Sequence, residues 1–123
     1  MDLTGFTDQQ KQAVVDLLVL GMYADGNLDL IEDEKVRQVL DSIQFSSDSA
    51  RQYFIDASFA RARKHGGSAK TTRSYVSELA KNLPTPAMRR QVYSALEDSL
   101  MSDQKMAEKE SELLLIVSEE LKL

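Results

Sequence analysis

The sequence predicts an all-α fold, a compact helical bundle of two pseudo-repeated helix–loop–helix halves. Apolar residues recur three and four positions apart along most of the chain, the signature of helices with one buried face. Only two prolines and five glycines interrupt it, and clusters of cap-forming residues separate the periodic stretches. No stretch combines strict alternation with turn dipeptides, so strands are not expected. The 123 residues suit one domain over 1–123, long enough to bury roughly two-thirds of the unfolded surface without staples.

The elements follow in order. Val14, Leu17, Leu18 and Met22 form the stripe of a first helix, opened by the capping-box pattern Thr7-Asp8-Gln9-Gln10 and closed at Gly26. A second helix is expected from Asp29, with Glu32 as box partner and Val36, Val39, Leu40 and Ile43 inward. Ser46-Ser47-Asp48-Ser49 opens a third, with Tyr53, Phe54, Ala57 and Ala60 on its inner side. After the break at His65-Gly66-Gly67-Ser68, a fourth carries Tyr75, Val76, Leu79, Ala80 and Leu83 and ends before Pro84. Thr85-Pro86 supplies an N-cap with proline at the first helical position for a fifth, through Val92, Leu96 and Leu100. The last uses Leu113, Leu114, Val117 and Leu121.

Composition excludes several chemistries. With no cysteine there is no disulfide, zinc–thiolate or iron–sulfur site, and no thiol catalysis. One histidine, His65, leaves no histidine-rich metal site and makes a Ser-His-Asp machine hard to assemble; it reads as a solvated loop residue. The most apolar run, Ala13 to Ala24, carries Asp16 and is shorter than the roughly 20 residues of a membrane span. No basic n-region followed by an apolar stretch marks the start, so no integral membrane segment and a cytoplasmic location are expected.

Charge falls in three blocks. Residues 1–50 carry a net −7, 51–94 a net +7 and 95–123 a net −5, against −5 for the chain. Packing of the basic middle between acidic ends accounts for this arrangement. Arg61, Arg63, Lys64, Lys70 and Arg73, with Phe59 and Tyr75 nearby, raise the alternative of a phosphate-binding strip. The net negative charge and flanking acidic blocks oppose it, so no nucleic-acid partner is expected.

The two ends are related by an offset of 78 residues. Val14 aligns with Val92, Leu18 with Leu96 and Met22 with Leu100, and later Val36 with Leu114 and Ile43 with Leu121. In the same frame Asp25 meets Asp103 and Glu32 meets Glu110, so residues 7–43 and 85–121 read as two copies of one unit. Acidic residues at helix N-termini contribute about 0.3–1 kcal/mol each, so capping alone is one account of these carboxylates.

The segment Met22-Tyr23-Ala24-Asp25-Gly26-Asn27-Leu28-Asp29-Leu30-Ile31-Glu32 resembles the Ala-Asp-Gly…Glu signature of the TerB-like family. These are tellurite-resistance-associated domains, similar also to the N-terminal region of a membrane-tethered J-protein. The resemblance implies a compact bundle of two helix–loop–helix halves, a non-enzymatic role linked to tellurite and other stress, and metal binding by acidic loop residues. It also implies partners among other stress-response proteins. The second copy departs from the signature: Ser102-Asp103-Gln104 lacks the Ala and Gly, and Ala107 stands in the place of Asp29.

Asp25-x-Asn27-x-Asp29 matches the opening of an EF-hand loop, but Leu30 occupies the position that needs glycine and Val36 the position that needs glutamate. The alternative is an oxygen-ligand site built from Asp25, Asp29, Glu32, Asp103 and Glu110, suited to calcium, magnesium or manganese. Carboxylates gathered so closely repel one another unless a cation intervenes. No nucleophile poised beside a base and no phosphate loop is present, so neither catalysis nor an organic cofactor is expected.

Overall fold

The computed structural model describes residues 2–25, 34–100 and 108–123. Six helices run α1 (Asp8–Asp25), α2 (Glu34–Asp41), α3 (Asp48–His65), α4 (Ala69–Ala80), α5 (Pro86–Leu100) and α6 (Glu108–Glu120), with no strand among the described residues. The expected all-α class holds.

The helix starts follow the local chemistry. Thr7 and Gln10 cap each other reciprocally, Gln10 N–H donating to Thr7 Oγ1 at 3.1 Å and Thr7 N–H to Gln10 Oε1 at 2.9 Å. Ser47 and Ser68 take extended backbone and accept from Ala50 N–H and Thr71 N–H to open α3 and α4. Thr85 accepts from Met88 N–H at 3.1 Å, with Pro86 opening α5. The expected start of the second helix at Asp29 and the stop at Gly26 lie outside the described residues.

α1 is the axis of the molecule. Every residue from Ala13 to Met22 is buried, and α1 touches all five other helices. The apolar residues read into α1, α4, α5 and α6 are all buried. Lys11 Nζ donates to Ser42 O at 2.9 Å, setting a cation where α2 ends and its carbonyls face outward. Ile43 falls past the end of α2 and is half-buried rather than helical. Asp2 and Gln91 exchange two hydrogen bonds that tie the N-terminal segment to α5.

The stripe expected for α3 is only partly right: Phe54 packs against the core and Ala57 is half-buried, but Tyr53 and Ala60 face out. Tyr53 is 77% exposed and Ala60 is exposed, whereas Ser58 and Ala62 are buried and Phe54, Ile55 and Phe59 pack against the core. Polar residues occupy part of the buried face of α3 because a buried carboxylate on α1 requires them there. An apolar template therefore misplaces the stripe, taking in Tyr53 and Ala60 and leaving out Ser58 and Ala62.

Candidate functional site

The expected metal ligands are distributed unevenly. Asp25 is the last residue of α1, and its side chain lies outside the described residues, as do Asp29, Glu32 and Asp103. Glu110, in the first turn of α6, is 3% exposed. Among the described residues no group of three or more acidic or histidine side chains is placed to hold a metal ion.

The helix ends that flank both acidic segments nonetheless meet at one pole. Gly21, near the end of α1, lies so close to α5 that a Cβ there would stand 2.6 Å from Leu96 Cδ1. Lys35, in the first turn of α2, approaches Asp98 of α5 at 3.8 Å. Tyr23 and Ala24 of α1 line a cleft of about 300 Å³ with Lys109 and Glu112 of α6 and the Gly66–Ser68 turn.

That turn is shaped by close approach. Gly66 caps α3, its N–H donating to Ala62 O at 2.7 Å. A Cβ on it would sit 2.7 Å from Ala62 O and 2.9 Å from the Tyr23 ring, so Tyr23 seats only against glycine. His65 is corrected from a solvated loop residue: it ends α3, is half-buried, and stacks on Tyr75 with ring centroids 4.5 Å apart. Its carbonyl accepts from the hydroxyls of Thr71 and Thr72, at 2.7 and 3.0 Å, joining α3 to α4.

Sequence reasoning missed a buried charge cluster beside this turn. Asp16 is 2% exposed; its Oδ1 accepts from Ser58 Oγ at 2.6 Å and Arg61 Nη2 at 2.9 Å, and its Oδ2 from Arg61 Nε at 3.2 Å. Burial alone would lower the Arg61 pKa, but the hydrogen bonds and charge of Asp16 raise it above the ordinary guanidinium value. The Tyr75 hydroxyl is sealed nearby without a hydrogen-bond partner among the described residues. Burial first, then the negative charge of Asp16, pushes its ionisation above the ordinary tyrosine range. The signal was an aspartate inside an apolar run, since a buried carboxylate requires a partner.

The basic middle is compensated in part, with Arg63, Lys64 and Lys70 left exposed. Arg51 pairs with Asp41 at 3.0 Å, Arg61 with Asp16, and Arg73 with Glu119 and Glu120 at 3.2 and 3.1 Å. Tyr75 is buried and Phe59 packs on the core, so the aromatics near these cations offer no open stacking platform.

The six helices among the described residues, packed with α1 as a buried axis, define a small helical-bundle domain. The chain belongs to the TerB family, described as tellurite resistance protein TerB, whose pattern matches residues 12–123. No curated protein and no solved structure matches it. No helix among the described residues is long and apolar enough to cross a membrane.

Proposed function

We propose that this TerB-family chain is one non-enzymatic domain that binds a divalent cation at its acidic pole and acts with other proteins of a cytoplasmic stress response. The ligands are Asp25, Asp29, Glu32, Asp103 and Glu110, and hard oxygen donors suit calcium, magnesium or manganese. The observation that carries the reading is the convergence of helix ends: α1, α2, α5 and α6 all present to one pole the ends from which the two acidic segments spring. The pseudo-repeat belongs to the same proposal. Its support is that α1 and α5 both follow a capping threonine, Thr7 and Thr85, at the 78-residue offset. Halves related in that way would give one cation equivalent carboxylates from each.

Thermal unfolding with added calcium, magnesium or manganese tests this. At one hundred times the dissociation constant, a bound cation stabilises the native state by about 2.7 kcal/mol. Asp25→Asn abolishes that gain and leaves metal-free stability little changed, as does Glu32→Gln, which still completes a capping box. A melting temperature that none of the three cations moves identifies the carboxylates as helix caps on a protein-interaction module instead.

A further inference from the structure

The end of the molecule where α5 begins and α6 stops carries an open groove of about 750 Å³. Pro84, Pro86, Tyr93, Leu121 and Leu123 give it apolar walls, and Arg89, Arg90 and Lys122 are its charged residues; no acidic side chain lines it. Arg89 is committed to the fold. Its guanidinium donates to Leu83 O at 2.6 Å, Ala80 O at 3.0 Å and Leu121 O at 3.2 Å, binding the last turns of α4 and α6 to α5. No carboxylate side chain among the described residues pairs with it. Arg90 and Lys122 are exposed and form no ion pair among the described residues, whereas Arg51, Arg61 and Lys81 each have one and Arg73 has two. Three positive charges thus border an apolar trough on a protein whose net charge is −5.

The backbone holds one of these cations in a costly conformation. Lys122 N–H donates to Glu119 O and Leu123 N–H to Ser118 O, the paired bonds of a Schellman motif, and Lys122 occupies its left-handed position at φ 58°. Glycine suits that position best, because a side chain there crowds the carbonyl. Lysine at this point forgoes stability and places an ammonium group beside the groove.

We propose that this groove is a docking surface for an acidic, apolar-tipped segment of a partner protein, with leucine-like side chains in the trough and carboxylates on Arg90 and Lys122. Charge complementarity selects that occupant: the walls take apolar side chains, and the charges accept only anions. The site lies away from the acidic pole, so the proposal stands whether or not a metal binds there.

The test measures fluorescence anisotropy of a short labelled peptide in which single leucines are separated by pairs of glutamates. The full chain binds it, more weakly as salt rises, and Arg90→Glu weakens binding about tenfold. Lys122→Gly weakens it too while raising the melting temperature, which separates the contact from loss of fold. Lack of binding, or binding unchanged in both variants, overturns the proposal. Equal binding of oligoglutamate without leucine overturns the role of the trough, and tighter binding of single-stranded oligothymidylate reassigns the surface to nucleic acid. Sedimentation showing self-association that Arg90→Glu abolishes assigns the groove to a second copy of the chain instead.

Discussion

A carboxylate in the middle of the most buried helix is tolerable only because two side chains of α3 reach it. Asp16 is sealed from water, whereas the Arg61 side chain keeps 31% of its surface exposed. That asymmetry decides which loss is worse. Arg61→Met leaves a buried charge with Ser58 as its one remaining side-chain partner among the described residues, and costs about 3–5 kcal/mol. Asp16→Asn leaves a cation that turns towards solvent, and costs about 1–3 kcal/mol. Urea unfolding measures both, and the reverse order would contradict this account. Asp16 was visible in the sequence as a charge inside an apolar run, but its partner, 45 positions away, was not. Helical periodicity locates faces within one helix and carries no information about which side chain of another helix meets them.

Helices α1 and α5 were legible because their apolar stripes and caps agree, α4 because a break and Pro84 bound its stripe, and α6 from its stripe alone. α3 was legible in extent but not in orientation, since Ser58 and Arg61 face inward and Tyr53 does not. The α3–α4 junction was read as a break from its glycines, and the reason for glycine there is tertiary. Gly66 lies under Tyr23 of α1, so the turn between two helices is set by a third. Gly66→Ala forces backbone and ring apart and costs about 1–3 kcal/mol. The same substitution in a Tyr23→Ala background costs less, because one of the two clashes has gone, and a double-mutant cycle on chemical unfolding measures that coupling.

The dependence of stability on pH belongs to the molecule as a whole. Tyr75 and Tyr93 both ionise above the ordinary value of 10.0 in the fold, burial being the first cause in each. Between that value and their raised folded values the unfolded chain loses protons that the native chain keeps. Their contribution is therefore complete below about pH 10 and declines as pH rises. Tyr75→Phe removes one of the two and makes the alkaline decline of the melting temperature shallower. An equally steep decline in the variant contradicts the burial of this hydroxyl beside Asp16. The sequence placed Tyr75 in the core but not beside a carboxylate. The candidate ligands were legible as types and spacing, whereas whether they meet depends on how α1, α2, α5 and α6 end, which spacing does not encode.

The central position of α1 also sets a problem of timing during synthesis. Its most apolar stretch leaves the ribosome before some of the surfaces that cover it, since α5 and α6 begin 78 and 100 residues after α1 does. At bacterial-to-eukaryotic elongation rates of about 5–20 residues per second, that wait lasts on the order of ten seconds. Throughout it α2 and α3 offer only partial cover, and a nascent chain stalled before α5 presents a sticky hydrophobic rod. Shelter by a ribosome-associated chaperone is most needed in that interval, and Asp16, a charge within the rod, makes the exposed stretch less prone to self-association before Arg61 claims it.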